Sequence, residues 1–272
     1  KKIRIHHKDQ QAVEAIQKLI LSLGVPMRFE AKIERGRPTI PVEIILEALL
    51  FRLREGCSWR ALSIFAPHTT IYTRWKNWCE QGIWDQIHEL IATSPNATKG
   101  KLRGIDSTSV KAHKHAFGGP QGSEFQLIGK SRGGSNTKIH ALVDGFNDAT
   151  ILADKAYDSD EFREFLDECG LKACIPPKSN RITPKSYHKG YYKHRHHVEN
   201  FFQRIKEKRA IATRYEKLAS RFFDLVTLAQ SAIGCNIDVF EHTLVKRNTH
   251  LNQFFDFECH AVENGWIDTK LA

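Results

Sequence analysis

The stretch of the chain that is most informative about its fold is residues 191–210, YYKHRHHVENFFQRIKEKRA, which place Glu199 among many basic side chains. At 100° per residue, a helix here would bring Arg195, Glu199 and Lys206 within about 40° of one another. The adjacent face is apolar, with Val198, Phe201, Phe202 and Ile205. Glu199 has two interpretations: an ordinary ion pair with a basic neighbour one turn away, or a carboxylate that holds a cation facing phosphate.

The bulk composition is that of an ordinary soluble globular protein, with 272 residues, 41% of them hydrophobic and 26% charged. This length allows two domains. The net charge of +10 and the pI near 9.3 favour a polyanionic partner, nucleic acid before a membrane. No apolar run approaches the ~20 residues that span a bilayer, and no signal peptide is evident. We therefore expect a cytoplasmic protein that has no membrane partner.

The cysteines favour reduced thiols over disulfides or a zinc site. Six are scattered along the chain without a C-x-x-C pair, which is typical of a cytosolic protein. A structural zinc site would have to recruit His194, His196 and His197, and we do not expect one.

The first hundred residues predict short helices joined by tight turns. The predicted helices cover 10–23, 42–55, 58–66, 69–82 and 83–94. Asp9 is a candidate N-cap, and Gly24 and Gly56 are candidate stop signals. Residues 28–41 are predicted to be extended. Short helices with tight turns are typical of a helix-turn-helix module, so we predict a helical DNA-binding domain over residues 1–97.

From about residue 98 the pattern changes to one of strands and helices. Predicted strands cover 100–113, 136–145, 151–157 and 172–177, and predicted helices cover 159–170, 190–208 and 216–233. The sequence thus predicts an α+β protein with a mixed-sheet domain over residues 98–235. Residues 236–272 form a tail of open role.

Three carboxylates lie where strands end or where a helix is basic: Asp106, Asp154 and Glu199. Hard divalent cations prefer carboxylate oxygens, and two such ions about 4 Å apart can clamp both reacting oxygens of a phosphodiester. Each residue also has an ordinary interpretation, Asp106 as a turn or cap residue and Glu199 as a surface ion-pair partner. Asp154 competes with Asp158 and Asp160, which we predict to be helix caps, with Ser159 as the alternative to Asp158.

Four motifs give the chain a resemblance to a known family. YKHRHHVENFFQRIK (192–206) matches Tyr-x2-Arg-x3-Glu-x6-Lys, the signature around the third acid of bacterial insertion-sequence DDE transposases. IDSTSVKAHKHA (105–116) with GKSRGGSNTKIHALVD (129–144) resembles their first-acid region, and ILADKAYDSD (151–160) resembles the second. RGRPTIPVEIILEALLFRLREGCSWRAL (35–62) is similar to their N-terminal domain. The resemblance covers roughly residues 33–235.

The resemblance implies an RNase-H-like catalytic domain in which Asp106, Asp154 and Glu199 hold two Mg²⁺ ions, for which Mn²⁺ can substitute. It also implies cleavage of double-stranded DNA at the terminal inverted repeats of an element, followed by transfer of the 3′-OH strand to target DNA. A homodimer would act on the two ends, in the nucleoid-associated cytoplasm of a bacterium. Tyr192, Arg195 and Lys206 would support the acids. His113, Lys138 and His140 lie in matched motifs, and an internal hydrogen bond is an equal alternative for either histidine.

Two other functions stay open at this point. One is a non-catalytic DNA-binding regulator derived from such an enzyme, against which the three intact acids argue. The other is a metal-dependent nuclease that cuts without joining.

Residues 145–151 depart from the family pattern. Only about six residues, GFNDAT, separate the strand that ends near Asp144 from the strand ILAD. An RNase-H-like sheet needs a further strand here and then a crossover of a dozen or more residues. We therefore expect breaks between Phe146 and Asn147 and between Thr150 and Ile151, with residues missing from the chain near 146–151; a decayed copy is the alternative.

DNA contacts outside the acids are predicted on basic and polar side chains. The helix over 69–82 puts Ile71, Trp75, Trp78 and Cys79 on an apolar side, which leaves its polar side for base edges or phosphate. RGRP (35–38) suits a narrow minor groove, with a charged linker as the equal alternative. The predicted contact residues are Arg35, Arg37, Thr73, Arg74, Lys76, Asn77, Lys130, Arg132 and Lys138.

Overall fold

The computed structural model describes residues 7–24, 40–92, 100–168, 170–234 and 242–245. The chain divides into two units, and each unit is assembled from several segments. The helical unit comprises Lys1–Pro95, Val110–Ile128 and Arg204–Phe240. The sheet unit comprises Asn96–Ser109, Gly129–Gln203 and Glu241–Ala272. The predicted division of the chain after residues 97 and 235 follows sequence order, whereas these units do not, and it stays a prediction.

The described residues form ten α-helices and six strands. The helices are α1 His7–Ser22, α2 Val42–Glu55, α3 His68–Glu80, α4 Ile83–Ala92, α5 Gly122–Phe125, α6 Asp160–Glu168, α7 Lys189–Tyr192, α8 His196–Lys206, α9 Arg209–Ala212 and α10 Ala219–Gly234. The strands are β1 Gly100–Ala112, β2 Gly129–Ser131, β3 Gly134–Leu152, β4 Lys172–Cys174, β5 Thr213–Arg214 and β6 His242–Val245. Short 3₁₀ helices cover Trp59–Ile64, Lys114–Ala116, Lys155–Tyr157 and Lys193–Arg195.

In the helical unit, the second predicted helix has the predicted bounds. α2 ends where Gly56 adopts a left-handed φ of 64°, and the Gly56 N–H donates to the Arg52 carbonyl at 2.8 Å. Glycine adopts this conformation without a Cβ penalty, which explains the stop. Asp9 is not an N-cap, because α1 begins at His7 and the buried Asp9 carboxylate pairs with Arg54.

The core of the helical unit is rich in tryptophan. Trp75 and Trp78 of α3 pack against Trp84 of α4, with ring centroids 5.2 and 5.8 Å apart. All three indoles are almost completely buried. The apolar side of the predicted 69–82 helix is therefore core, as predicted. Among the residues that the structure describes, no helix combines the length and apolar character that crossing a membrane requires.

The sheet unit is built around the long strand β3. β2 and β6 pair antiparallel with β3, β4 pairs parallel with its end, and β1 is its other neighbour. The last two residues of β1 belong to the helical unit, where they pair in parallel with β5. The sheet is mixed and the first part of the chain is helical, so the mixed α and β composition predicted from the sequence is confirmed at that level.

The expected chain breaks near residues 146–151 are wrong, whereas the expectation that residues are missing there stays a prediction. A single strand of 19 residues, β3, runs from Gly134 to Leu152 without a break. Six residues are too few for a crossover to a parallel strand, and the chain here stays extended. The two strands predicted at 136–145 and 151–157 are consequently one strand, and residues 155–157 form a 3₁₀ turn instead.

A compact core supports one side of the sheet unit. Its buried members are Ile105, Ile151, Ala153, Tyr157, Phe162, Leu166 and Ile175. Two of them, Ile105 and Ala153, immediately precede acids singled out in the sequence. Because side chains alternate across an extended chain, burial of these two directs Asp106 and Asp154 away from the core.

Candidate active site

Asp106 lies within β1, close to α8. A Cβ placed on Gly104 would be 3.4 Å from the Cβ and Cγ1 atoms of Val198. Val198 at the start of α8 thus lies against β1 two residues before Asp106, at ordinary van der Waals distance from where a Cβ would be. The Asp106 carboxylate is partly exposed, and its Oδ1 accepts a hydrogen bond from the Ser107 N–H at 2.8 Å.

Asp154 lies just past the end of β3. The buried residues Leu152 and Ala153 hold the chain before it, and Asp154 is partly exposed. Its Oδ1 accepts from the Ala156 N–H at 2.8 Å, which caps the 3₁₀ turn Lys155–Tyr157. One carboxylate oxygen of Asp154 therefore serves local structure, and this contact fixes the direction of the side chain.

Arg195 joins the acids of β1 and α8. Its Nη2 donates to Asp106 Oδ2 at 2.7 Å, and its Nη1 donates to Glu199 Oε1 at 2.9 Å. The Arg195–Glu199 contact is the ordinary i,i+4 pair, so this interpretation of Glu199 is confirmed as geometry. The contact with Asp106 spans 89 residues of sequence and joins the residue just before α8 to β1. The Nε–H of Arg195 is buried and, among the described residues, has no hydrogen-bond partner.

The electrostatics tie Asp154 to the same group. Burial raises the pKa of Asp106, and the nearby Asp154 charge acts in the same direction, against the lowering by Arg195 and the Ser107 N–H. Burial alone would lower the pKa of Arg195, but Asp106, Glu199 and Asp154 are among the groups that outweigh it and raise the pKa. The structure thus brings the three acids into electrostatic range of one guanidinium. A perturbed carboxylate in such a cluster, here Asp106, is typical of functional sites.

These acids do not form a ready-made metal site in the arrangement described. Within residues 7–24, 40–92, 100–168, 170–234 and 242–245, no group of three or more His, Cys, Asp or Glu side chains has a geometry that could hold a metal ion. The donor chemistry nevertheless suits a hard cation, since all three side chains are carboxylates. The charge that balances Asp106 and Glu199 is instead supplied by Arg195.

The other two predicted supporting residues have different surroundings. Tyr192 packs against Leu152 and Cys174, with its ring 5.5 Å from that of Tyr187. It therefore braces the end of the strand that precedes Asp154. Lys206 ends α8 in the helical unit, and burial lowers its pKa.

Asp158 does not compete with Asp154 for a place in the acid cluster. It is 3% exposed and accepts from Arg163 Nε at 2.8 Å, from Arg181 Nη1 at 3.0 Å and from the Lys178 N–H at 2.7 Å. Burial alone would raise its pKa, but the Lys178 N–H and the two arginines outweigh this effect and hold the pKa of Asp158 below its usual value. The cap of α6 is the Ser159 hydroxyl, which accepts from the Phe162 N–H at 3.1 Å.

The sequence did not predict this Asp158 network. Both arginines lie in segments without a motif, and their spacing from Asp158 along the chain carries no periodic signal. Arg181 also pairs with Asp160. The network holds the loop after β4 against the start of α6, and it serves structure.

The remaining residues of the matched motifs are accounted for in part. His140 Nδ1 lies 3.3 Å from the Tyr157 hydroxyl, so an internal hydrogen bond describes this residue. His113 Nδ1 accepts from the His115 N–H at 3.2 Å. Lys130 and Arg132 are exposed and Lys138 is partly exposed. Their predicted DNA contacts stay predictions.

The polar side of α3 needs one correction. Arg74 is 8% exposed, and its guanidinium lies over the Trp78 ring, 5.8 Å from the centroid. A position 40° from Trp78 and 60° from Ile71 falls inside the apolar arc, so the assignment of Arg74 to the exposed side is wrong. Thr73 and Lys76 are exposed and Asn77 is partly exposed. Arg35 and Arg37 lie outside the described residues.

Three of the six cysteines lie among the described residues, and all three are free thiols. Cys57, Cys79 and Cys174 form no disulfide. The rings of His194, His196 and His197 lie within 6.3 Å of one another.

Comparisons with known proteins match both parts of the chain. The family described as "Putative transposase of IS4/5 family" matches residues 22–88, and the family described as "Transposase DDE domain" matches residues 151–233. The second match contains Asp154 and Glu199. No solved structure matches the chain.

Curated relatives match short segments. A protein of Brucella ovis named "Putative transposase for insertion sequence element IS6501" is 39% identical over 85 residues, which are 30% of this chain and 65% of the relative. "Uncharacterized protein y4sN" of Sinorhizobium fredii is 33% identical over 31% of this chain and 66% of the relative. "Insertion element IS402 uncharacterized 16.2 kDa protein" of Burkholderia cepacia is 29% identical over 28% of this chain and 56% of the relative. The chain thus spans just under two thirds of the length of the first relatives.

Proposed function

We propose that this chain, which is related to the DDE transposases of bacterial insertion sequences, cleaves double-stranded DNA at element ends and transfers the 3′-OH strand to target DNA. The catalytic acids in this proposal are Asp106, Asp154 and Glu199. The observation that carries it is the position of the Arg195 guanidinium. This group contacts both Asp106 and Glu199, and the negative charges of all three acids raise its pKa.

The acids are the groups that would hold two Mg²⁺ ions, with Mn²⁺ as a substitute. Carboxylates are the ligands that such ions prefer, and burial already disfavours the charge on Asp106, so a cation beside it would be stabilising. When bound, the ions would supply activation of water and charge stabilisation for phosphodiester cleavage and strand transfer.

The role of Arg195 follows from its position. A cation that contacts Asp106 and Glu199 competes with the guanidinium for the same oxygens. The planar fork of arginine also matches a phosphate group. In this proposal Arg195 binds a DNA phosphate in place of the two acids, which leaves Asp106 and Glu199 free to bind the cation. DNA and divalent cation would then bind with positive coupling.

The basic residues would position DNA in this reaction. Between residues 181 and 217 Lys and Arg outnumber acids, and the net charge of the chain is +10. Lys130, Arg132 and Lys138 in the sheet unit and Thr73, Lys76 and Asn77 on α3 are the described candidates for backbone or base contacts. A homodimer would synapse the two terminal inverted repeats, in the nucleoid-associated cytoplasm of a bacterium, with RNase-H-like architecture for the catalytic domain.

Two alternatives lead to different results in one assay. A regulator without catalysis would bind DNA and leave it intact. A nuclease would cut and never join. Both are separated from a transposase by incubating the protein with element-end DNA and a target plasmid, and by scoring cleaved ends and joined products separately.

The decisive variant is Glu199→Gln. We expect it to abolish Mg²⁺-dependent cleavage and joining and to leave DNA binding intact or slightly tighter, because one negative charge leaves the site. Glu207→Gln is the matched control, since it removes the same charge from an exposed residue just past α8. If Glu199 served only as an ion-pair partner, the change would cost at most about 1 kcal/mol of stability. Near-wild-type cleavage by a folded Glu199→Gln protein would refute the catalytic role.

A further inference from the structure

A buried arginine organises a surface of the helical unit that the proposed chemistry does not use. The side chain of Arg214 is fully buried. It donates to three main-chain carbonyls, those of Gln126 at 2.8 Å, Glu216 at 2.9 Å and Lys217 at 3.1 Å. Burial lowers its pKa to about 10, which leaves the guanidinium charged at neutral pH. Arg214 therefore serves as an internal anchor for the loops around it.

Gln126 extends the anchor into the loop between β1 and β2. Its side chain is almost completely buried, donates to the Pro120 carbonyl at 2.9 Å and accepts from the Ala219 N–H at 2.7 Å. On the other side, the His113 N–H donates to the Arg214 carbonyl at 2.9 Å. Three segments, 112–115, 120–127 and 214–219, are thus fixed to one another by hydrogen bonds.

The anchored loops expose apolar and aromatic side chains. Phe125 is 62% exposed and Leu127 is 46% exposed, on either side of the buried Gln126. Leu127 has a φ of 55°, which a branched side chain rarely adopts. Such a conformation persists only where the surroundings determine it, and it is found preferentially at functional sites.

An aromatic group and two cations belong to the same segments, and a third cation, Lys111, directly precedes the first segment. Tyr215 follows Arg214, is 43% exposed, and lies with its ring centroid 4.4 Å from that of His113. Lys111, Lys114 and Lys217 are all exposed. Exposed rings beside lysines are the combination that binds unpaired nucleobases together with their phosphates, because every base has a face that stacks on an aromatic side chain.

We infer that the exposed side chains of these hydrogen-bonded segments, Phe125, Leu127 and Tyr215, together with the three lysines, bind unpaired bases of DNA. The inference rests on the proposed function in taking DNA as the partner. It assigns to the helical unit a contact with single-stranded or destacked DNA, separate from the acids of the sheet unit. The rigid loops would present the rings without an ordering cost when a base stacks on them.

The test compares two labelled probes by fluorescence anisotropy: a single-stranded oligonucleotide and the duplex of the same sequence. Phe125→Ala and Tyr215→Ala should each bind the single strand about tenfold more weakly, as expected for loss of one stacked base. Their affinity for the duplex should stay unchanged. Tyr215→Phe keeps the ring and should bind the single strand like wild type. Leu21→Ala, at a residue 51% exposed on α1, is the control for loss of an exposed apolar side chain.

The outcomes separate this inference from the proposed function. If wild type binds neither probe, the proposal that the protein acts on DNA fails. If wild type binds both probes and neither alanine variant weakens single-strand binding, the stacking surface is refuted while the proposed function stands. If the variants instead change the sedimentation coefficient of the free protein, the surface contacts a second copy of the chain, and the inference is equally overturned. Thermal unfolding of each variant confirms that it is folded.

Discussion

Asp158 and Asp106 are two aspartates of the sheet unit that accept hydrogen bonds from arginine. Their environments shift the pKa of the carboxyl group in opposite directions. Asp158 receives two arginines and a main-chain N–H, and its pKa is lowered although the side chain is buried. Asp106 receives one arginine and one N–H, and burial together with Asp154 raises its pKa. Asp158 is satisfied by its own fold, whereas Asp106 is incompletely compensated. The difference marks Asp158 as structural and supports the proposal that Asp106 holds a cation.

The largest expected effect concerns stability. Asp158→Asn should lower the free energy of unfolding by about 3 kcal/mol or more, because it leaves Arg163 without a charged partner and Arg181 with the exposed Asp160 alone. Asp106→Asn should cost at most about 1 kcal/mol, since its charged form is already disfavoured by burial. Denaturant unfolding of both variants measures the two values. Equal losses would remove the distinction between the two aspartates.

The second effect concerns metal affinity. Arg195→Gln should bind Mn²⁺ about tenfold more tightly than wild type in the absence of DNA, because the competing guanidinium is gone. A tenfold change in affinity corresponds to roughly 1.4 kcal/mol, the free energy expected for a partly buried charged pair of this kind. Isothermal titration calorimetry measures the affinity, and Arg204→Gln, on α8, is the control for loss of another arginine. Weaker binding by Arg195→Gln would mean that Arg195 does not compete with the cation.

The third effect is a pH dependence of opposite sign for the two aspartates. The folded pKa of Asp158 is lowered, so its contribution is present above the unfolded value near 4 and is lost as the pH falls through the folded pKa. The folded pKa of Asp106 is raised, so its contribution is present below that unfolded value and is lost as the pH rises through the folded pKa. Between about pH 3 and 7, the unfolding free energy of Asp158→Asn should therefore fall less on acidification than that of wild type. The unfolding free energy of Asp106→Asn should fall less than that of wild type as the pH rises toward about 7. The same slope in wild type and both variants would contradict the assignment.

The smallest expected effect concerns the salt dependence of DNA binding. It compares an exposed and a buried basic residue of α3, Lys76 and Arg74. Lys76 is exposed, and its amino group lies 3.8 Å from Glu80, so Lys76→Ala should reduce the salt dependence of DNA binding by about one unit of slope. Arg74 is buried over Trp78, so Arg74→Ala should lower stability and leave that slope unchanged. Anisotropy titrations at several salt concentrations measure both slopes. A reduced slope for Arg74→Ala alone would reverse the assignment.

Much of the helical unit follows from local rules. α2 has its predicted bounds because an apolar periodic segment ends at a glycine that adopts a left-handed conformation. The bounds of α3 and α4 lie within two residues of the predicted ones. The error at Arg74 arose because a charged residue was assigned to the solvent side by its chemistry, although its angular position lies within the apolar arc. A long side chain over an indole ring satisfies both requirements.

The sequence by itself singled out three candidate acids and determined the basic character of the chain and the i,i+4 spacing of Arg195 and Glu199, because motifs and helical periodicity are local. The tertiary structure decided that Arg195 also reaches Asp106, that Asp158 is enclosed by two arginines, and that Arg214 fixes three loops together. It also decided that residues 145–151 continue one strand. These contacts join residues far apart in sequence, and both the partners of a side chain and its burial depend on how distant segments pack. Desolvation and pairing, which set the charge balance of each acid, exist only after the chain has folded.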